Sequence, residues 1–260
     1  MTTDLAVREH PVSGPVPRYE VPAWRERYGL VAGITARGDA AGPGFDLGLW
    51  TGEPVREVMG RWREFRQSLP GFTAFVMGHQ AHGTELAWHG PGRGWTVLDG
   101  VDGHLTTEPG TLLLVTVADC VPVYLAVPGR AAALLHAGWR GAAAGILERG
   151  VRALAQHAKA SVSDIVMHCG VGICGSCYEV GSEVLTRCGL PAPGSGPWHL
   201  DLRGQLRERA AALGVHRVTV SAWCSAHDRP HFYSHRGSRG RDGRMVAYLG
   251  VPIDGPTGRS

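Results

Sequence analysis

The stretch Leu112-Leu-Leu-Val-Thr-Val-Ala-Asp-Cys-Val-Pro122 decides how this chain folds and where its chemistry lies. Its apolar first half, 112–117, ends at an aspartate that is followed by Cys120. A second apolar run, 131–135, ends in a similar way at His136. Short apolar runs bounded by glycine and proline predict buried strands. Because a residue at the end of a buried strand is held by the sheet yet reaches solvent, we expect this cysteine and this histidine at the same edge of one sheet.

A cysteine beside a histidine suits two kinds of chemistry. A thiolate and an imidazole are soft ligands for zinc or copper, and they are also a nucleophile with its base. A third candidate is His82, in Gln80-Ala-His82-Gly83, which directly follows a predicted strand at 72–77. Three protein ligands are typical of catalytic zinc, which keeps its fourth position for water or substrate. The long, irregular spacing favours a metal that is bound by the folded chain rather than one that drives folding.

Composition and charge exclude several classes of protein. The 260 residues are 43% hydrophobic and 19% charged, which is ordinary for a folded domain. The net charge of +3 comes mainly from scattered arginines, so we expect no nucleic-acid partner. No apolar stretch reaches the ~20 residues that cross a bilayer, and the N-terminus lacks the apolar core of a signal peptide. We therefore predict a cytoplasmic protein that does not enter membranes, and we expect a monomer.

The six cysteines do not predict a disulfide framework in a cytoplasmic chain of this length. Three of them cluster, because Cys169 is followed by Cys174-Gly-Ser-Cys177, a C-x-x-C motif. A redox or metal role for that motif needs a helix N-terminus or a second C-x-x-C, and the sequence has no second one. We expect these thiols to be packing or site-lining residues, since a free cysteine behaves mainly as a small apolar side chain.

The pattern of apolar residues predicts an α+β fold, with mixed sheets packed between outer helices in a single domain. Residues 1–28 are expected to be a loose arm with one short strand, 29–251 the domain, and 252–260 a polar tail. The predicted strands outnumber the helices by about two to one without strict alternation, and 85–88 and 95–98 are expected to form a hairpin. The predicted helices are 54–69, a helix that follows 141–145 and runs to about 158, 178–188 and 202–213, the last capped by Asp201 and ended by Gly214. The predicted strands are 30–35, 72–77, 85–88, 95–98, 112–117, 131–135, 165–169, 218–222 and 245–251.

Five motifs, taken in order, resemble one known family. They are Gln80-Ala-His82-Gly83, Ala118-Asp-Cys-Val-Pro122, His136-Ala-Gly-Trp-Arg-Gly141, Gly170-Val-Gly-Ile-Cys-Gly-Ser-Cys-Tyr-Glu-Val180 and Phe232-Tyr-Ser-His-Arg236. The chain is similar to the multicopper polyphenol oxidoreductase, or laccase-like, family from about Gly33 to Leu249. Members of that family are understood as zinc-dependent purine nucleoside phosphorylases and adenosine deaminases.

The resemblance implies a site and a reaction. His82, Cys120 and His136 would be the metal ligands, for zinc or alternatively copper, and they would be catalytic together with Asp119. The arginines expected to bind substrate or phosphate are Arg37, Arg140 and Arg236. The implied substrates are phosphate and purine nucleosides: adenosine, inosine, and as further candidates guanosine and methylthioadenosine. They would be cleaved to the base and ribose 1-phosphate, with deamination of adenosine as a second activity.

Three other functions compete with this one. A copper-dependent phenol oxidase is the family's older label, but blue-copper oxidases need His-x-His pairs and this chain has none. A metal-free hydrolase would use Cys120 as nucleophile and His136 as base. A binding protein that has kept only the fold is the weakest alternative, because the ligand set is intact. Two departures from the family pattern, Asp39 for glycine and Val171 for proline, bear on substrate preference.

Overall fold

The computed structural model describes residues 6–39, 42 and 44–253. Within these ranges the helices are α1 Trp24–Tyr28, α2 Val55–Gln67, α3 Trp139–Ala143, α4 Ile146–Ala158, α5 Ser182–Arg187, α6 Leu202–Leu213 and α7 His235–Ser238, with a 3-10 turn at Val162–Asp164. The strands are β1 Ala6–Val7, β2 His10–Pro11, β3 Arg18–Glu20, β4 Val31–Thr35, β5 Ala74–His79, β6 Leu86–His89, β7 Gly94–Asp99, β8 Gly103–Thr106, β9 Thr111–Val117, β10 Val121–Val127, β11 Ala131–Ala137, β12 Val166–Cys169, β13 Glu179–Val180, β14 Trp198–His199, β15 Arg217–Ser221 and β16 Met245–Gly250.

Within the described ranges, the strands form two large sheets and one small one. The first sheet has the order β1-β15-β12-β10-β11-β8-β6, and the second has the order β2-β3-β4-β16-β9-β5-β7. Strands β13 and β14 pair on their own. Both large sheets are mixed: β10 and β11 run antiparallel while β12 and β15 run parallel, and β9 is antiparallel to β16 but parallel to β5.

The two large sheets pack face to face, and helices cover their outer faces. Alternate residues of β9 show the arrangement: Leu113 and Val115 belong to the core between the sheets, whereas Leu112 and Leu114 pack outward. A strand covered on both faces reads as a continuous apolar run, which explains the sequence pattern of 112–117. The expected α+β class, with mixed sheets between outer helices, is confirmed.

Two groups of helices form the outer layers. Helices α4 and α6 cover the first sheet through buried side chains such as Val151, Leu154 and Leu206. Helix α2 covers the second sheet through Trp62 and Phe65, which are fully buried. No helix in the described part of the chain has the length and apolarity that crossing a bilayer requires.

The predicted hairpin of 85–88 and 95–98 is wrong. Strand β6 pairs in parallel with β8 in the first sheet, whereas β7 pairs in parallel with β5 in the second. The glycine-rich segment 90–94 therefore carries the chain from one sheet to the other instead of turning it back on itself. Adjacent short strands joined by a glycine turn look identical in sequence whether or not they pair with each other.

The N-terminal segment is also more ordered than the expected loose arm with one short strand. Within 6–28, β1 joins the first sheet, β2 and β3 extend the second, and α1 buries Trp24 between the sheets. Strands of two or three residues are too short for an alternating pattern to show. Residues 1–5, and 254–260 of the predicted tail, lie outside the described residues.

The bounds of most predicted helices agree with those in the structure. Asp201 caps α6 by accepting a hydrogen bond from the backbone N–H of Gly204, and Gly214 ends the helix in the left-handed region. The helix predicted after 141–145 is α4, and Gly145, whose φ is +93°, separates it from the short helix α3, which was not predicted. The predicted helix 178–188 is shorter, because 179–180 form β13 before α5 begins.

Candidate metal centre and its cavity

Cys120 lies where the chain crosses between the two large sheets. Strand β9 belongs to the second sheet and β10 to the first, so Ala118–Cys120 is the connection. The expectation that the two apolar runs share one sheet is therefore wrong. His136 reaches the same place because it lies near the end of β11, directly opposite Pro122 of β10 in the antiparallel ladder. The cysteine and the histidine meet at the end of the space between the sheets.

His82 comes from the segment that follows β5 of the second sheet. Its φ of +58° places it in the left-handed region, which non-glycine residues seldom adopt. The backbone is held there because the N–H groups of Ala81, His82 and Gly83 all donate to the carboxylate of Asp102, over 2.8 to 3.0 Å. The left-handed conformation of His82 is thus fixed by one buried side chain.

Asp102 also orients the second histidine. Its Oδ1 lies 2.8 Å from Nδ1 of His136, and both side chains are almost fully buried. Burial alone would raise the pKa of Asp102, but hydrogen bonds from His136 and from the backbone of Gly83 outweigh it and lower the pKa. An ionised carboxylate favours the proton on Nδ1 of His136, so that Nε2 is the nitrogen left to bind a metal.

His82, Cys120 and His136 lie close enough together to hold one small cation. One ligand atom from each of His82, Cys120 and His136 lies within 4.8 Å of the others, and the two imidazole rings are 4.8 Å apart at 76°. A thiolate with two imidazoles is a donor set suited to zinc. Gly138 leaves room for the cluster, because a Cβ there would lie 3.1 Å from Sγ of Cys120.

The cluster opens on one side to a cavity of about 500 Å³. His136 is buried and Cys120 half-buried, whereas His82 is exposed, so a metal held by these three side chains would be open to the cavity. The cavity lining combines aromatic and cationic side chains: Trp50, Trp139, Tyr178, Arg140, Arg236 and Arg244. Burial and the nearby Cys120 thiolate raise the pKa of Tyr178 to about 12, so its hydroxyl stays protonated near neutral pH.

Without a metal, Cys120 and His136 form a buried ion pair. Burial alone would raise the pKa of Cys120, but attraction to His136 and hydrogen bonds from His136 and His82 lower it to about 6. Burial alone would lower the pKa of His136, whereas the Cys120 thiolate and Asp102 raise it to about 9. Between these two values the thiol is ionised and the imidazole is protonated, so a metal would take up a preformed thiolate and displace a proton.

This ion pair predicts an unusual reactivity for Cys120 in metal-free protein. The thiolate is the reactive form, so alkylation by iodoacetamide should rise with pH and reach half its maximum near pH 6. Burial raises the pKa of Cys188, so the alkylation midpoint of this thiol should lie well above that of Cys120. Peptide mass spectrometry of chelator-treated protein separates the two cysteines. A midpoint for Cys120 at or above that of Cys188 would contradict the ion pair.

Asp119 lies at the edge of the cavity, and its carboxylate accepts hydrogen bonds from other residues of the chain. Oδ1 accepts a hydrogen bond from Oγ of Ser225 at 2.6 Å, and Oδ2 accepts one from the backbone N–H of Arg236 at 2.6 Å. Its φ of +86° matches the tight crossing between β9 and β10. The geometry gives Asp119 a positioning role, because it holds the segment 225–236 against the cavity.

Two of the three predicted arginines lie at the cavity. Arg140 stacks on its neighbour Trp139, with the guanidinium carbon 4.3 Å from the ring centroid. Arg236 packs against Tyr178 and donates one hydrogen bond to the backbone oxygen of Glu179.

Arg37, the third predicted arginine, is placed elsewhere. Its guanidinium lies 2.5 Å from Asp242 and packs over Tyr233, beside a separate and smaller cavity of about 190 Å³. The structure does not bring Arg37 to the cavity that contains the cysteine.

Sequence reasoning missed two residues of this site. Asp102 is not among the predicted site residues, although an acidic residue directly before a buried strand is a signal that its carboxylate has internal partners. Arg244 lines the cavity just before β16, and its guanidinium donates to two backbone oxygens. Nothing in the sequence distinguishes Arg244 from the other scattered arginines.

The glycines of His136-Ala-Gly-Trp-Arg-Gly141 have a steric role at this site. A Cβ on Gly141 would lie 2.7 Å from the backbone oxygen of Gly83, in the segment that carries His82. Helix α3 can therefore pack directly against that segment only because residue 141 has no side chain.

The family model for multi-copper polyphenol oxidoreductase laccase matches residues 33–252. This chain belongs to that family. Within it, the purine nucleoside phosphorylase YlmD of Geobacillus stearothermophilus is 33% identical over 247 residues, which are 85% of this chain and 90% of the relative. The adenosine deaminase RL5, from an unknown prokaryotic organism, is 35% identical over 153 residues, 54% of this chain and 58% of the relative.

A solved structure of the laccase-like family has the same architecture. The crystal structure of YlmD from Geobacillus stearothermophilus superposes with a TM-score of 0.82 at 31% identity, covering 94% of this chain and 98% of that one. The family membership expected from the five motifs is confirmed. The chain thus belongs to a family of enzymes and carries a cysteine–histidine cluster suited to a metal ion.

Proposed function

We propose that this protein is a zinc-dependent purine nucleoside phosphorylase that also deaminates adenosine. The observation that carries the proposal is the convergence of His82, Cys120 and His136 beside an open cavity that is lined by arginines. A relative of similar length named as a purine nucleoside phosphorylase supports it. The monomeric state and the cytoplasmic location stay predictions from the sequence.

In this proposal His82 and His136 hold zinc through ring nitrogens and Cys120 holds it as a thiolate. Zinc bound in such a site supplies a Lewis acid and lowers the pKa of water at its open position. The chain's own contribution is to preorganise the ligands: Asp102 fixes the Nδ1–H tautomer of His136 and the backbone of 81–83. That network leaves little reorganisation for the metal to induce on binding.

For phosphorolysis, we assign phosphate to Arg140 and Arg236. A guanidinium forms two parallel charge-assisted hydrogen bonds with a phosphate, and both side chains line the cavity. A phosphate oxygen would form a bond to C1′ of the nucleoside while the bond from C1′ to the purine nitrogen breaks. Its electron pair leaves with the purine, which takes up a proton, and the second product is ribose 1-phosphate. Arg37 has no part in this assignment, because Asp242 holds its guanidinium beside another cavity.

Deamination of adenosine is the second candidate activity. A relative named as an adenosine deaminase favours it, and so does a cavity of about 500 Å³, a size typical of small-molecule sites, beside side chains that could hold a metal ion. The net reaction adds water at C6 of the purine and releases ammonia. Hydrolytic deamination needs no phosphate, so the two activities separate by their dependence on phosphate.

The two rival functions are less well supported. A multicopper oxidase needs a set of paired histidines, whereas the two groups in the described part of the chain that could hold a metal ion are a His-Cys-His group and a Cys-Cys-Cys-His group. A metal-free hydrolase is compatible with the Cys120–His136 ion pair. A metal-free hydrolase can be told apart from the zinc enzyme, because the activity of the hydrolase would survive a chelator.

The experiment that tests the proposal is turnover of inosine and adenosine by zinc-loaded protein, with and without phosphate. We expect hypoxanthine and ribose 1-phosphate from inosine only when phosphate is present, and inosine from adenosine in its absence. A chelator should abolish both. Activity that survives metal removal would support the thiol hydrolase, and turnover of phenols without turnover of nucleosides would support the oxidase.

A substitution of Arg236 tests the phosphate assignment. Arg236→Gln should raise the KM for phosphate by about 30-fold, because a hydrogen bond to a charged group contributes about 2 kcal/mol. The KM for inosine should change much less. Arg130→Gln is the matched control, since Arg130 is exposed and donates to the backbone of Lys159, far from the cavity in the fold. An unchanged phosphate KM in Arg236→Gln would remove this residue from the phosphate site.

A further inference from the structure

A second cluster of soft ligands lies outside the cavity. Cys174 and Cys177 follow β12, Cys224 and His227 follow β15, and one ligand atom from each lies within 4.8 Å of the other three. Neither C-x-x-C thiol packs in the apolar core, in contrast to Cys169, which is buried in β12. Of the expected packing or site-lining roles, packing describes Cys169, whereas Cys174 and Cys177 lie outside the core beside Cys224 and His227.

The sequence lacks a second C-x-x-C, but the fold supplies its equivalent. Cys224-Ser-Ala-His227 has the same spacing with a histidine in the last position. Each pair forms a tight turn: the N–H of Cys177 donates to the backbone oxygen of Cys174, and the N–H of Asp228 donates to that of Cys224. Residues three apart, with two residues between them, have the spacing at which both side chains of a turn can reach one zinc ion. The two turns face each other across a bridge between Gly172 and Cys224.

The distances match those of a tetrahedral zinc site. Zinc bonds of about 2.3 Å to sulfur and about 2.0 Å to nitrogen place neighbouring ligand atoms about 3.5 to 3.8 Å apart at tetrahedral angles. Nδ1 of His227 lies 3.4 Å from Sγ of Cys177 and 3.8 Å from Sγ of Cys174. The backbone N–H of Cys174 points at Sγ of Cys224 at 3.3 Å, as donors often do toward charged sulfur ligands.

The histidine of the cluster is already oriented for binding. Nδ1 of His227 faces the sulfurs, while its Nε2 lies 3.5 Å from the carboxylate of Asp228. That carboxylate also accepts a hydrogen bond from the backbone N–H of Cys224, at 2.8 Å. A carboxylate on the far nitrogen of a ligand histidine favours the tautomer whose near nitrogen is free to bind metal.

We propose that Cys174, Cys177, Cys224 and His227 form a structural zinc site, separate from the centre at Cys120. Four protein ligands close the coordination sphere, so the site has no position for a substrate and does not take part in the reaction. The proposal goes beyond the proposed function and does not depend on it.

The position of the site in the fold indicates a structural role for the bound metal. It would join the loop after β12 to the loop after β15, and both loops lead directly to the cavity. Tyr178, which lines the cavity, follows Cys177, and Ser225, which donates to Asp119, follows Cys224. Between β12 and α5 the described chain has few regular elements, so a metal clip would replace the missing hydrogen-bonded structure there.

Metal counting on purified full-length protein tests the proposal. We expect two zinc ions per chain in the parent, one in Cys120→Ser, one in Cys174→Ser, and none in the double variant. The matched control is Cys188→Ser, because Cys188 is a half-buried free thiol that belongs to neither cluster, and it should keep both ions. One ion in the parent together with none in Cys120→Ser would overturn the second site.

If Cys174→Ser fails to fold, two further measurements test the second zinc site. In cobalt-substituted Cys120→Ser, we expect the strong thiolate-to-cobalt absorption of a site with three sulfur ligands. His227→Ala changes an exposed side chain, so it should fold, and chelator should remove its second zinc at least about 10-fold faster than from the parent. A loss of two mass units with four titratable thiols in freshly purified protein, mapped by peptide mass spectrometry to two of Cys174, Cys177 and Cys224, would instead identify a disulfide and contradict the zinc site.

Discussion

Cys120→Ser is expected to lower kcat/KM for phosphorolysis of inosine by at least about 10³-fold and to remove one zinc ion per chain. The thiolate is the one charged protein ligand in the centre, and a serine hydroxyl stays protonated near neutral pH. The fold should persist, because Asp102 still holds His136 and the backbone of 81–83. Zinc content, inosine turnover and circular dichroism of the variant check the three parts of this expectation.

Cys188→Ser serves as the control for this variant as well, since it changes the same atom outside the centre. It should keep the parent's turnover and zinc content. A Cys120→Ser variant that retains both zinc ions would show that this sulfur is not a ligand. Retained zinc at the centre with lost turnover would assign Cys120 to the chemistry rather than to the metal.

Asp102→Asn is expected to have the largest effect on stability, lowering the free energy of unfolding by about 3 kcal/mol at pH 7. Each carboxylate oxygen has two partners: Oδ1 has His82 N–H and His136 Nδ1, and Oδ2 has the N–H groups of Ala81 and Gly83. An amide has one oxygen, so two of these donors would face an NH₂ group. Zinc should also bind about 10- to 100-fold more weakly at this centre.

The pH dependence of this effect has a defined sign. The folded-state pKa of Asp102 is lowered, so its carboxylate stabilises the fold at pH values above its unfolded pKa of about 3.9. That contribution is lost as the pH falls through the lowered folded value, and the difference between parent and variant should shrink there. Urea unfolding of metal-free proteins between pH 7 and pH 3 measures it.

Asp99→Asn is the matched control, because the Asp99 side chain is 92% exposed and contacts only the exposed His79 among the described ion pairs. It should leave the unfolding free energy within about 0.5 kcal/mol of the parent. An equal, small effect from both variants would mean that the buried network at Asp102 does not hold the centre together.

The sequence indicated which residues form the Cys–His cluster better than it indicated how the fold brings them together. Strand-end residues beside glycine, together with the family motifs, indicated His82, Cys120 and His136. The sequence could not show that β9 and β11 lie in different sheets, because each strand is covered on both faces and its apolar run carries no sign of which sheet it joins. The crossing at 118–120 is a property of strand pairing, which is long-range.

The partners of the site were harder to predict for the same reason. Asp102 is 34 residues from His136 in the sequence and meets it only through the pairing of β8 with β11. The second cluster needs the parallel pairing of β12 with β15, which brings 174–177 and 224–227 together. Arg37 shows the opposite case: a motif position alone did not indicate that Asp242, far along the chain, holds its guanidinium.

The most direct measurement is an anomalous difference map, recorded on both sides of the zinc absorption edge from crystals of the zinc-loaded protein. We expect a zinc peak at the crossing between the two sheets, about 2.3 Å from Sγ of Cys120 and about 2.0 Å from one nitrogen each of His82 and His136. A map without zinc at these three side chains, from protein that turns over nucleosides, would contradict the assignment of this centre.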